Sequence, residues 1–254
     1  MSNLAIYPSL KGVPVVISGG ASGIGEGIVR AFAEQGSKVG FVDIAEDAGN
    51  KLAGELNAAG ANVTFTRCDI TDTAAYQAAI KGFEGKNGAA LALVNNAAND
   101  QRHSWEEVTP EFWDKAVGVN MKHAFFAAQA VLPGMIAAGK GSIINFGSIS
   151  WMILTGNLAA YTASKAAMHG LSRSLARDVG KHGIRVNTLV PGWVMTEKQI
   201  RLWLDDKGRA DIARGQCINA QLLPEHIARM ALFLAADDSA MCTAQDFIVD
   251  GGWV

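Results

Sequence analysis

The chain has 254 residues, 49% of them apolar and 18% charged, with a formal charge of -2 at neutral pH. That is ample apolar surface for a sizeable core, and it offers neither a basic groove for nucleic acid nor a polybasic patch for membranes. Cys68, Cys217 and Cys242 lie far apart without metal-ligand spacing, so reduced thiols are expected rather than a disulfide frame or zinc site. The opening residues carry no charged segment followed by an apolar one, and no apolar run is long enough to cross a bilayer. A cytoplasmic protein without a metal is the expectation.

Short β-rich runs alternate with longer alanine-rich stretches. Val13–Ser18 predicts a strand, followed by a glycine loop and a helix over 23–35. Strands are expected over 38–43, 62–68, 91–94, 141–147, 184–190 and 247–249. Helices are expected over 46–59, from about Asp72, from Thr109-Pro110 to about Ala138, over 160–181, and over 225–234 after Pro224. Repeated β-then-α units imply an α/β fold, a Rossmann-type doubly wound seven-stranded parallel sheet with helices on both faces. No low-complexity linker interrupts the pattern, so residues 1–254 are read as one domain. The segment 195–223 breaks the rhythm, carries Trp203, and is expected to cover the carboxyl edge of the sheet.

The run Ser18-Gly19-Gly20-Ala21-Ser22-Gly23-Ile24-Gly25 lies where the first strand hands over to the first helix. Glycine there permits a tight turn and a close approach of backbone to a pyrophosphate, while the helix start offers free N–H groups. Asp43 ends the second strand 18 residues after Gly25, where a carboxylate can accept hydrogen bonds from an adenosine ribose and would repel a 2′-phosphate. NAD is therefore favoured over NADP. Ile44 follows it, Asp69-Ile70 ends the third strand, and Asn96-Ala97-Ala98 ends the fourth. All are candidate cofactor contacts, although a polar residue at a strand end also serves to cap a turn.

Tyr161 and Lys165 are four apart on a predicted helix, and Ser148 lies 13 residues before the tyrosine. A free phenol titrates near ~10 and is a poor base at neutrality, so a neighbouring ammonium is expected to lower it. Ser148 would hold the reacting oxygen. The pattern suits abstraction of an alcohol proton during hydride transfer.

These motifs, with Pro191-Gly192 before Thr196, resemble those of the short-chain dehydrogenase/reductase family from Lys11 to the C-terminus. The resemblance implies that Asn120 joins Ser148, Tyr161 and Lys165 in a catalytic group. It also implies that Lys165 binds the nicotinamide ribose, and that Pro191, Gly192, Val194 and Thr196 hold the carboxamide end. Pairing into a homotetramer through helices around 110–138 and 160–181 is likewise implied. Ser18 stands where threonine is commoner, and Ala98, in place of the usual glycine, is expected to crowd the adenosine side.

A polar run, Asn99-Asp100-Gln101-Arg102-His103, follows the fourth strand, and Trp151 and Trp193 lie near Ser148 and Gly192. Together with Ile6-Tyr7-Pro8-Ser9-Leu10-Lys11 and Met241-Cys242-Thr243, these resemble bacterial aldose 1-dehydrogenases. That resemblance implies oxidation of a sugar at its anomeric carbon, with Asn99, His103, Ser148, Ser150, Trp151, Tyr161 and Trp193 around the substrate. A dehydrogenase or reductase of another alcohol or ketone (3-oxoacyl, steroid or polyol) and a non-catalytic NAD-binding regulator remain open as alternatives.

Overall fold

Strands buried on both faces read as continuous apolar runs, as residues 15–17 and 92–94 do. The computed structural model describes residues 5–254; the first four, on which part of the leader reading rests, lie outside the described residues. Among the described residues the strands are β1 (Pro14–Ser18), β2 (Lys38–Asp43), β3 (Asn62–Arg67), β4 (Ala92–Asn95), β5 (Gly141–Phe146), β6 (Ile184–Pro191) and β7 (Asp246–Val249). They form one parallel sheet in the order β3-β2-β1-β4-β5-β6-β7. Strand order reverses between β1 and β4, and at such a switch point a crevice opens outside the carboxyl ends.

Parallel neighbours need crossovers, which the helices supply. They are α1 (Gly23–Glu34), α2 (Glu46–Ala58), α3 (Thr73–Asn87), α4 (Pro110–Val117), α5 (His123–Ala138), α6 (Ala159–Val179), α7 (Glu197–Trp203), α8 (Asp206–Gly215) and α9 (Pro224–Ala235). The two-residue period of the strands sends alternate side chains into two cores. Val15, Ile17 and Ile144 pack with Ile28 and Phe32 of α1 and Leu232 of α9. Val16, Leu93 and Ile143 pack with Ile80 of α3, Val131 of α5 and Leu175 of α6.

The predicted elements appear with ends moved by a residue or two, except in two places. The long helix expected from Thr109 to Ala138 is interrupted by a π turn over Gly118–Lys122 between α4 and α5. The apolar period cannot reveal one extra residue in a turn, and such widened turns gather at functional sites. Asn120 lies within this one and is buried. Second, the segment 195–223, for which the sequence named no element, folds into α7, capped by the Thr196 side chain, and α8, capped by Asp205. Among the described residues no helix is long and apolar enough to cross a membrane.

Candidate functional site

A cleft of about 1460 Å³ runs across the carboxyl ends of the strands, from Asp43 and Ile44 at one end to Trp193 and Trp253 at the other. Its volume exceeds the several hundred Å³ that a drug-sized ligand occupies, so it suits an extended dinucleotide beside a small substrate.

The glycine turn forms the first wall. Gly19 has a positive φ of 69°, and a Cβ there would strike the backbone of Ala97 at 2.8 Å. A Cβ on Gly25 would collide with the Gly19 carbonyl, so the turn can close only around glycine. Asn96 Nδ2 donates to the Ser18 and Gly19 carbonyls at 3.1 and 2.9 Å, and the Ala97 N–H donates to Ser18 Oγ at 3.1 Å. The serine that replaces threonine keeps that bond. Ser22 precedes α1 without capping it, leaving N–H groups of the first turn free for phosphate oxygens. Gly19, Ser22, Ile24 and Gly25 line the cleft, whereas Gly23, with φ 58°, lies behind it and serves the turn.

At the adenosine end the cleft wall includes Asp43, Ile44, Asp69 and Ile70. Asp43 accepts from the Ala21 N–H through Oδ2 and from the Ala45 N–H through Oδ1, each at 3.0 Å. It thus fastens the glycine turn while leaving lone pairs toward the cleft. Asp69 caps the next turn, accepting from the Thr71 hydroxyl at 2.7 Å and its N–H at 2.9 Å, and the hydroxyl bond chiefly holds its carboxyl below the usual range. Ala98, expected to crowd this side, is exposed, with its methyl group on the open cleft.

Toward the other end, Asn120, Ser148, Tyr161 and Lys165 converge on one stretch of wall. Asn120 holds the backbone of Asn99 from both sides, accepting from its N–H at 2.8 Å and donating to its carbonyl at 3.1 Å. Ser148 Oγ accepts from the Ser150 N–H at 3.2 Å, and its hydroxyl is near enough to the Tyr161 phenol to favour the phenolate. Lys165 is 2% exposed; its Nζ donates to the Phe146 carbonyl at 2.9 Å and stands 5.8 Å from the Tyr161 ring centre. Pro191, Gly192, Val194 and Thr196 line the opposite wall.

The electrostatics correct one expectation. The lysine was expected to lower the Tyr161 phenol, but burial pushes the phenol up to about 12, and the nearby charge of Asp100 adds to the rise. The Ser148 hydroxyl and the charge of Arg102 oppose it without prevailing. Burial also pulls Lys165 down to about 7, so this ammonium is held at a cost.

Of the expected substrate contacts, Trp151 falls outside the cleft and His103 lines it with its ring already engaged. Trp151 Nε1 donates to His169 Nε2 at 3.3 Å, with His169 in turn paired to Asp246 at 2.9 Å. His103 is in the wall, but both ring nitrogens are spoken for: Nε2 accepts from the Ala160 N–H at 3.3 Å and Nδ1 meets the Gln101 carbonyl at 3.0 Å. It braces the start of α6, one residue before Tyr161. Asn99, Ser150 and Trp193 do line the cleft, and Ser150 Oγ and Trp193 Nε1 are buried without a partner.

Sequence reasoning missed Leu154 and Thr155 at the mouth, the Asp100 carboxylate clamped by Lys198 and Gln199 of α7, and Trp253. The tail folds back because buried Asp250 accepts from the N–H groups of Gly252, Trp253 and Val254. Aspartate two to four residues before the end was the available signal for that turn.

A glycine turn at the switch point facing a Ser–Tyr–Lys cluster defines a dinucleotide-binding architecture with a polar reaction chamber. The family profile described as Enoyl-(Acyl carrier protein) reductase matches residues 19–254. A D-xylose 1-dehydrogenase of Caulobacter vibrioides is 44% identical over 249 residues, 98% of each chain. A Rhizobium meliloti protein named "Probable galactose dehydrogenase GalD" is 42% identical over 97% of this chain and 96% of its own. The crystal structure of a blue fluorescent protein from a metagenomic library, in complex with NADPH, matches with TM-score 0.88 at 29% identity, over 97% of this chain and 99% of that one. The chain belongs to the short-chain dehydrogenase/reductase family, whose dehydrogenases are oxidoreductases that use nicotinamide cofactors.

Proposed function

We propose that the protein oxidises an aldose at the anomeric carbon to the lactone, with NAD as cofactor and Tyr161 as the base. The observation that carries this reading is the Ser148–Tyr161 pair set in the wall of a cleft whose outer end is polar and tryptophan-lined. Such a surface suits a ring with many hydroxyls and one apolar face. The names of the Caulobacter and Rhizobium relatives point to the same substrate class. When bound between the glycine turn and Lys165, NAD would supply the acceptor for the hydride of C1. Tyr161 takes the proton of the C1 hydroxyl, Ser148 holds that oxygen, and C1 leaves as the lactone carbonyl. Lys165 supplies charge beneath the phenol and a hydroxyl contact for the ribose, and Asn120 fixes the Asn99 turn.

Fit to the dinucleotide is supported by the tight turn that only glycine at 19 and 25 allows and by the uncapped first turn of α1 beside it. NAD rather than NADP is supported by Asp43, a carboxylate at the adenosine end of the cleft that would accept from ribose hydroxyls and repel a 2′-phosphate. Residues 195–223 are the segment that covers the substrate, within a chain that works as one domain. The apolar Trp113, Phe125 and Ile136, each 40% exposed, support pairing through α4 and α5 in a homotetramer. Widely spaced free thiols at Cys68, Cys217 and Cys242 fit a reducing compartment such as the cytoplasm.

The experiment is NADH absorbance with purified protein and NAD against aldoses, polyols, simple alcohols and hydroxysteroids. Turnover confined to aldoses is expected; turnover only elsewhere in the panel removes the sugar reading. Asp43→Ala is expected to weaken NAD and raise the relative use of NADP. Because Asp43 also fastens the glycine turn, affinity alone is not diagnostic. The NADP-to-NAD ratio is, and an unaltered ratio counts against ribose binding at this carboxylate.

A further inference from the structure

We infer that Arg102 is a substrate-binding residue, its guanidinium held over the Trp203 ring at the outer end of the cleft to grip neighbouring sugar oxygens. The inference rests on the aldose reading above and names a residue that grips that substrate.

The loop that carries Arg102 is pinned at several points. Asn120 holds Asn99, Lys198 and Gln199 each reach Asp100 at 2.6 Å, and His103 bonds the start of α6. Arg102, by contrast, makes neither a hydrogen bond nor an ion pair with any described residue, and its Nε is buried without a partner. A buried donor left unmade is costly, and a rigid fork of five donors matches pairs of adjacent oxygens. Trp203 supplies the platform: the guanidinium carbon stands 5.1 Å from its ring centre, a cation–π arrangement. Trp203 ends α7, so the same contact ties the loop after β4 to the segment over the cleft.

The position relative to Tyr161 adds a second role. Arg102 and Asp100 act on the phenol with opposite signs, the arginine lowering it and the aspartate raising it. The Asp100 charge is already matched by Lys198. Lys165 gives up its proton near 7, whereas a guanidinium stays charged throughout the working range. Arg102 and Tyr161 line the same cleft, so the guanidinium is a lasting positive charge acting on the phenol under alkaline conditions.

The test uses calorimetric titration of D-xylose and D-galactose into the full chain with NAD bound, in a Tyr161→Phe background that prevents turnover. The rate–pH profile is measured in the Tyr161 background. Arg102→Met is expected to weaken sugar binding about ten- to hundredfold while NAD affinity stays within about twofold. The acid limb of the profile moves to higher pH, because the phenolate loses a stabilising charge. Arg102→Lys restores the limb but not the affinity, separating charge from fork. Trp203→Leu weakens the sugar alone. Unchanged sugar affinity in Arg102→Met overturns the inference, and so does a loss of NAD affinity in step with that of sugar, which marks a merely structural role. A wild-type protein that neither binds nor oxidises any aldose removes the aldose reading itself, an outcome distinct from sugar turnover that ignores residue 102.

Discussion

Tyr161→Phe is expected to lower turnover by about two to four orders of magnitude, the usual contribution of a positioned general base, and to leave NAD binding close to wild type. The substitution keeps the ring that faces Lys165 and removes only the hydroxyl that meets Ser148, so the wall of the cleft changes little. With the phenol pushed up to about 12, the phenolate is a minor species at neutrality, and its fraction grows tenfold with each pH unit below that value. Wild-type turnover should therefore climb from neutral toward alkaline pH, the deprotonated form being the active one. The variant should lose both the rate and the slope. Tryptophan fluorescence titration with NAD and initial rates across the pH range check both parts. A variant with undiminished turnover would sink the assignment of the proton to Tyr161.

The order of the elements was legible because each carries its own signature: short continuous apolar runs in β1 and β5, a 3.6-residue period in α1 and α9. The glycine turn was legible because few residues other than glycine can enter it, and the Tyr161–Lys165 face because four residues bring a helix round once. What could not be read depends on partners distant in sequence. Trp151 chose His169 over the cleft, and His103 chose the N–H of Ala160. The sign of the Tyr161 displacement was misjudged because the pair was imagined in water. Spacing tells that a lysine is near, but not that Lys165 is buried and the phenol partly so beside the charge of Asp100, where desolvation prevails. The π turn at Asn120 and the return of Trp253 were hidden for the same reason: each is accompanied by hydrogen bonds, of Asn120 with the Asn99 backbone and of the Trp253 N–H to Asp250, that leave no period behind.

Lys165→Met should abolish most activity and yet stabilise the unliganded chain at neutral pH. In the folded protein burial takes the amine from 10.5 to about 7, which corresponds to on the order of 5 kcal/mol against holding the charge. Between those two values the unfolded chain binds a proton that the folded chain does not, so wild-type stability rises with pH across the window. Below about 7 both states are protonated and the cost is fully present; near 10.5 it has vanished. Methionine has similar length and no charge, and it escapes this cost at every pH. It also surrenders the bond to the Phe146 carbonyl, a loss of about 1–3 kcal/mol that does not vary with pH. The two effects have opposite signs, so the melting curves should cross. The variant should melt higher than wild type at pH 6.5 to 7, by several degrees, and slightly lower near pH 10. Thermal melts across that range, without cofactor, measure the crossing. A variant less stable than wild type throughout would mean that the lysine is accommodated without strain. A crossing together with lost turnover would show a charge kept beneath Tyr161 for chemistry at the expense of stability.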